Sequence, residues 1–211
     1  MTNNIAAKLL QINAIKLNPE EPFTWASGMR SPIYCDNRII LSYPDIRKMV
    51  IDQFEQLARS YSDFNVIIGV ATAGIAHGVL LAERLGLPFV YVRSSAKKHG
   101  RQNKIEGQLP SNAKALVIED LISTGGSVLD AIDTLQSVNC TIKGVLAIFT
   151  YELAAAKKAF EKATYPVKTI SSYSKLLEAA THSSSISGEA ANLLKEWNKN
   201  PQLWSDNFTA P

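Results

Sequence analysis

The sequence predicts an α/β fold built on a mostly parallel central sheet flanked by helices. Two observations carry that prediction. From residue 65 onward, short apolar runs alternate with segments of helical periodicity, the order that βαβ units require. The runs are also uniformly apolar rather than alternating, which marks strands covered on both faces.

Taken in order, residues 5–15 repeat Ile5, Leu9, Leu10, Ile12 and Ile15 at helical spacing, and a polar, Pro-containing stretch, 17–22, ends that helix. Residues 23–34 mix aromatics with Ser27-Gly28 and Ser31-Pro32, turn chemistry around short extended pieces. Residues 45–58 follow Tyr43-Pro44 and carry Ile46, Met49, Val50 and Phe54 on one face. Asp45 stands near the start, where the helix dipole favours an acid. Residues 66–70 form a β-branched strand, 74–85 a helix stopped by Gly86-Leu87-Pro88, and 89–92 a second strand. A third strand, 115–118, precedes a helix at 127–138; a fourth, 144–149, precedes a helix at 153–162. Two polar helices, near 173–180 and 188–198, close the chain, and there is no internal repeat.

Length and composition set the bounds. The 211 residues suit one domain with appendages: an N-terminal part to about residue 60, a core over about 61–165, and C-terminal helices from about 166. Twenty-two Lys and Arg against 19 Asp and Glu leave a net charge of +3, which argues against a nucleic-acid-binding tail. Two cysteines, Cys35 and Cys140, cannot complete a four-ligand metal site. Residues 66–82 hold no Asp, Glu, Lys or Arg, but glycines, Thr72 and His77 interrupt them, and they fall short of the roughly 20 apolar residues of a membrane span. The expectation is a cytoplasmic protein with reduced cysteines and neither membrane nor nucleic acid as partner.

The strongest chemical signal is the run Val117-Ile118-Glu119-Asp120-Leu121-Ile122-Ser123-Thr124-Gly125-Gly126-Ser127. An apolar strand, two adjacent acids at its carboxyl end, a hydroxyl-and-glycine turn and a helix follow one another. Ligands of open α/β sheets sit beyond the carboxyl ends of the strands. Residues 123–127 offer backbone N–H groups, two glycines and a helix N-terminus, an anion cradle suited to phosphate. The acids would repel a bare phosphate, but they suit a ligand with hydroxyls beside its phosphate, such as a ribose 5-phosphate, and tolerate magnesium. Gly69-Val70-Ala71-Thr72-Ala73-Gly74 is a second small-residue strand-to-helix turn, equally readable as tight packing. Residues 93–107 break the rhythm: five Lys or Arg, His99 and Glu106 form a connection longer than usual, functional or simply a solvated basic loop.

Residues 117–127 resemble the phosphoribosyl-pyrophosphate (PRPP) signature of the type I phosphoribosyltransferases. Arg93-Ser94-Ser95-Ala96-Lys97-Lys98-His99-Gly100 resembles the catalytic loop of the orotate-using members. Phe23-Thr24-Trp25-Ala26-Ser27-Gly28-Met29-Arg30-Ser31-Pro32-Ile33-Tyr34-Cys35-Asp36 resembles their N-terminal segment. The resemblance spans about residues 5–195. It implies the type I phosphoribosyltransferase-like fold with a small N-terminal hood, and transfer of a phosphoribosyl group from PRPP to orotate with Mg2+.

Arg93, Lys97 and His99 would then stabilise the departing pyrophosphate, an oxyanion clamp, a point charge and a proton donor respectively. Glu119, Asp120, Leu121, Ile122, Ser123, Thr124, Gly125, Gly126 and Ser127 would bind PRPP. Ala71, Thr72, Ala73 and Gly74 would form its pyrophosphate-side loop, with a strained peptide at Ala71-Thr72. Ser123, Tyr34, Cys35 and Arg30 would line the orotate site. Lys97 and His99 would reach the partner subunit's site, implying a homodimer with shared active sites. Magnesium would have no direct protein ligand, being held by PRPP and water near Glu119 and Asp120.

Three departures stand out. Ser94 replaces the Lys of an Arg-Lys pair found in some members, and Ala26 replaces a Lys. Thr150-Tyr151-Glu152-Leu153 lacks an Arg that some members use for orotate's carboxylate, which leaves Arg30 and Arg38 as candidates. A purine- or uracil-using sister enzyme and a non-catalytic PRPP-sensing regulator are the alternatives. The N-terminal segment speaks against the first, and the Lys97/His99 loop against the second. His77 is expected to be a hydrogen-bonded core histidine, His182 exposed, and Cys140 packed.

Overall fold

In a computed structural model, which describes residues 4–25, 27–94 and 104–208, the chain opens with helix α1 (Ile5–Gln11). It ends earlier than the periodicity predicts. Asn13 takes a left-handed conformation (φ 56°), and Ile15 joins strand β1 (Ile15–Leu17). Strands β2 (Phe23–Thr24), β3 (Arg30–Ser31) and β4 (Ile33–Cys35) follow, then a 3-10 helix, Asn37–Ser42, and α2 (Pro44–Ala58). The core elements are β5 (Val66–Val70), α3 (Ala73–Leu85), β6 (Phe89–Val92), β7 (Ile105–Glu106), β8 (Lys114–Ile122), α4 (Gly126–Gln136), β9 (Thr141–Thr150), α5 (Ala154–Ala163) and β10 (Val167–Ser172). Helices α6 (Tyr173–His182), α7 (Gly188–Lys199) and α8 (Pro201–Asn207) complete the described chain.

Six strands form the central sheet in the order β10-β9-β8-β5-β6-β7, parallel except for β7. Successive side chains on a strand face opposite ways, and the two cores divide accordingly. Ile67, Leu116, Ile118, Leu146 and Ile148 pack with Val50 and Phe54 of α2 and Leu81 of α3. Val66, Ile68, Val117, Val145 and Ala147 pack with Val128, Ile132 and Leu135 of α4 and Phe160 of α5. The hood consists of two small antiparallel ladders, β1 with β4 and β2 with β3, and the Trp25 indole N–H donates to the Ile33 carbonyl between them (3.1 Å).

β10, β7 and α8 also escape the sequence reading, each for a physical reason. β10 is an edge strand with one neighbour, and only its last three residues are buried, so no apolar run marks it. β7 is two residues long, and α8 buries none of its residues. β8 is also longer than predicted. β5 pairs with it only as far as Ile118, but β9 continues to Ile122, so Glu119 and Asp120 lie inside the strand. Cys140 is packed, as expected, and both cysteines are free.

His77 is a core residue, 1% exposed, but not a hydrogen-bonded one: neither ring nitrogen has a partner among the described residues. Its neighbour Arg47 donates instead to the Leu41 carbonyl (2.8 Å). Burial, then the Arg47 charge, pushes the imidazole down to about 4. Above pH 6.5 both folded and unfolded chains hold this group neutral, so it contributes nothing there. Between pH 6.5 and 4 only the unfolded chain takes up the proton, so stability falls with falling pH, by about 3 kcal/mol across the window. Urea midpoints measured from pH 7 to 4.5 should therefore drop for the wild type relative to His77→Met as pH falls; parallel curves would show that His77 does not titrate this way.

Candidate active site

The sheet's topology makes one crevice. From β5 the chain moves outward to β6 on one side, then returns to lay β8, β9 and β10 on the other. The β5–β8 boundary is the switch point, and the turns leaving the two strands diverge around it. Residues 71–74 leave β5 and enter α3; residues 123–126 leave β8 and enter α4. The Ala71–Thr72 peptide is cis. A Cβ on Gly74 would collide with the Ile118 carbonyl oxygen, so only glycine lets α3 start this close to β8. Gly125 adopts φ 88°, and a Cβ there would stand 2.9 Å from the Phe160 ring. Above Gly126 the space is open: its nearest neighbour would be Thr124 Oγ1 at 3.9 Å. Neither α3 nor α4 has a side-chain N-cap, so their first N–H groups face the crevice mouth without a side-chain acceptor.

Glu119 is 6% exposed, and its Oε1 accepts the Asp120 backbone N–H at 2.9 Å. Burial, then the neighbouring Asp120, pushes the Glu119 carboxyl far above the usual carboxylate range; burial raises Asp120 as well. Among the described residues, neither acid belongs to an ion pair. Two adjacent acids, one buried and one half-buried, with no cation paired to them cost stability, and they suit a ligand that brings hydroxyl donors or positive charge.

The hood faces this pair. Tyr34 is 40% exposed, Cys35 is half-buried, and burial, then the Asp120 and Asp36 charges, pushes the Cys35 thiol up. Tyr151, in the stretch that lacks the expected arginine, is 2% exposed and stacked on Trp25 (centroids 5.4 Å apart). Its hydroxyl, raised chiefly by burial, also senses Cys35, Asp120 and Tyr34. Arg30 is engaged elsewhere: Nη1 donates to the Phe208 carbonyl (3.0 Å), and the guanidinium lies over the Phe208 ring. Arg38 is exposed, grips Asp36 through Nε (2.7 Å) and Nη2 (2.8 Å), and senses Tyr34 and Asp120. Asn37, which the sequence reading passed over, donates from Nδ2 to the Asp120 carbonyl at 2.9 Å. No motif marks it; its neighbours Asp36 and Arg38 are the more conspicuous residues.

On the other side of the crevice, β6 runs into Arg93. Its backbone N–H donates to the Lys104 carbonyl (2.8 Å), and its Nη1 lies 3.5 Å from Glu106 Oε1. The Ala71 N–H donates to the Val92 carbonyl (2.8 Å), tying the β5 turn to this neck. A cavity of about 90 Å3 lies between them, lined by Ala71, Arg93, Ser94, Lys104, Ser127 and Asp130 among others. Lys97 and His99 lie outside the described residues. A larger hollow of about 920 Å3, between residues 104–109 and α4, holds none of the predicted site residues.

The phosphoribosyl transferase domain profile matches residues 38–176. Orotate phosphoribosyltransferase of Cutibacterium acnes is 49% identical, over 98% of this chain and 98% of that protein. The Porphyromonas gingivalis protein of the same name is 48% identical, over 95% of this chain and 96% of its own length. The crystal structure of orotate phosphoribosyltransferase from Aeropyrum pernix superposes with a TM-score of 0.75 at 26% identity, over 84% of this chain and 98% of that one. A mostly parallel sheet, two glycine-bearing turns at its switch point, an acid pair between them and these likenesses agree: the chain belongs to the phosphoribosyltransferase family, among the orotate phosphoribosyltransferases.

Proposed function

We propose that this chain transfers the 5-phosphoribosyl group from PRPP to orotate, giving orotidine 5'-monophosphate and pyrophosphate on the route to UMP. The observation that carries this reading is an acid pair, buried Glu119 and half-buried Asp120, one short turn ahead of the uncapped start of α4. Carboxylates that accept from ribose hydroxyls, one turn from N–H groups that donate to a phosphate, match the two ends of a ribose 5-phosphate.

In this reading Ser123, Thr124, Gly125, Gly126 and Ser127 hold the 5'-phosphate, and Glu119 and Asp120 hold the ribose hydroxyls. The turn Ala71 to Gly74 holds pyrophosphate. The bond from C1 to pyrophosphate breaks as orotate's ring nitrogen bonds to C1, through an oxocarbenium-like transition state. Arg93, Lys97 and His99 stabilise the charge gathering on the leaving group, Lys97 and His99 acting in the partner subunit's site of a homodimer. Among the described residues no three or more His, Cys, Asp or Glu form a metal cage, and two adjacent acids fit an ion held chiefly by PRPP oxygens and water. Magnesium bound in that way neutralises charge on the pyrophosphate. Tyr34, Cys35 and Ser123 line the base site. All 211 residues form one phosphoribosyltransferase domain in the cytoplasm; among the described residues no helix is long and apolar enough to cross a membrane.

Of the two arginines left for orotate's carboxylate, Arg38 is the better supported. It stands near Tyr34 and Asp120, whereas Arg30 is engaged with Phe208.

Absorbance during incubation with PRPP and magnesium should show orotate consumed, and adenine, hypoxanthine and uracil left untouched. Consumption of another base would overturn the specificity, and tight PRPP binding without turnover would favour a regulator. Lys97→Ala should lower kcat by about 100-fold or more with PRPP affinity within a few-fold; equal losses in both would make Lys97 a simple binding residue. Arg38→Gln should raise the KM for orotate about tenfold, and Arg30→Gln should leave it nearly unchanged. The reverse pattern would transfer the carboxylate to Arg30.

A further inference from the structure

Asn37 is completely buried at the start of the 3-10 helix Asn37–Ser42, where the hood meets the sheet. Its Nδ2 donates to the Asp120 carbonyl, 83 residues away in sequence, at 2.9 Å, and its amide also lies against the Cys35 thiol. The Asp120 peptide is therefore held at both ends: the Glu119 carboxylate accepts its N–H, and Asn37 caps its carbonyl. The other half of the Asn37 amide is unrewarded, since Oδ1 is buried and has no partner among the described residues. As a core residue alone, Asn37 is a poor choice. An apolar side chain of similar size would avoid the stranded acceptor, and native structures keep such groups where they serve another end.

We infer that Asn37 is a positioning residue that registers the base-binding face of the hood, Tyr34, Cys35 and Arg38, against the ribose-binding strand end at Asp120. This rests on the reading of the site as an orotate phosphoribosyltransferase centre. The two sides of the contact are not equally stiff. β8 is paired with β9 on both sides of Asp120, at Glu119 with Ala147 and Leu121 with Phe149, so Asp120 keeps its place without Asn37. The segment 34–38 is held by a three-residue ladder, β1 with β4, by the Asp36 N–H donating to the Ala14 carbonyl (2.7 Å), and by the Asp36–Arg38 clasp, which is internal to the segment. Loss of the Asn37–Asp120 bond releases the hood rather than the strand. Asn37 thus sets the distance between the base and C1 of the ribose without touching either, and an error of that kind falls on one substrate only.

The test separates the two substrates. In Asn37→Ala the KM for orotate should rise at least about tenfold while the KM for PRPP stays within about threefold, at an active-site concentration equal to that of the wild type. An unchanged orotate KM in folded protein, or an equal rise in both KM values, would overturn the inference. So would a loss of active sites with both KM values intact, which is what a purely structural role gives. Asn37→Asp keeps the shape and decides the matter if the alanine variant does not fold. The introduced carboxyl can donate to the Asp120 carbonyl only when protonated, so the ratio of its orotate KM to that of the wild type should climb as pH rises. A ratio flat across pH would count against the bond. If the wild type itself consumes no orotate, the functional reading fails and takes this inference with it, a result visible before any variant is made.

Discussion

The close approach of α3 to β8 is the constraint on which the rest depends. β5 and β8 are adjacent strands whose chains leave in opposite directions, and two turns must therefore fit side by side at one edge of the sheet. Gly74 makes that possible, because any side chain there would meet the Ile118 carbonyl; Gly69, whose added Cβ would stand 2.9 Å from the Gly74 carbonyl oxygen, makes room for the same helix. With α3 seated so closely, two helix starts converge on a single crevice. Each contributes unsatisfied N–H groups and roughly half a positive charge. A diphosphorylated sugar needs an anion cradle at each end, and the doubly wound topology supplies two at a separation that backbone geometry sets.

The charges in the crevice follow from that arrangement. Helix starts favour anions, yet β8 carries two adjacent acids near its carboxyl end with which no cation pairs among the described residues. Adjacent acids drawn out of water without a cation weaken a fold, so their cost has to be offset in the core. The two apolar layers on either side of the sheet supply that offset, with fully buried Ile67, Leu116 and Ile118 on one face and Val66, Ile68 and Val117 on the other. The site's chemistry is therefore carried by the stiffest part of the molecule, its central strands. Acid side chains placed there need little reorganisation when a ligand arrives.

What the sequence makes legible divides along the same line. Central strands are covered on both faces, so their composition is dictated residue by residue, and 66–70, 89–92 and 144–149 stand out as apolar runs. The turn 123–127 is legible because a tight strand-to-helix turn demands small residues, and Gly125 adopts φ 88° there. The hood is less legible: its strands are two or three residues long, too short for any period, and what orders them is long-range contact such as Trp25 with Ile33 and Arg30 with Ser205. β10 and α8 escape for the related reason that edge and peripheral elements bury little. His77 shows the opposite limit. Its burial could be foreseen from an apolar helix, but its lack of a hydrogen-bond partner depends on where the Arg47 guanidinium goes, a choice made in tertiary structure.

This division bears on how base recognition is built. The crevice rests on β5 and β8, which are paired within the sheet, and on the helix starts that follow them. The hood reaches that frame through Asn37 to Asp120, through the aromatic packing of Trp25 against Tyr151 and Trp197, and through Ile15, Ile33 and Ile40 in the apolar core. Tyr151 stands in the stretch that carries a carboxylate-binding arginine in some relatives, yet here it is a packing residue, buried beneath Trp25 and edge-on to Phe149 and Trp197. A guanidinium could not take that place without stranding its charge among three aromatic rings. Tyr151 therefore serves as part of a hydrophobic joint between hood and sheet, a role no charged side chain could fill among those rings.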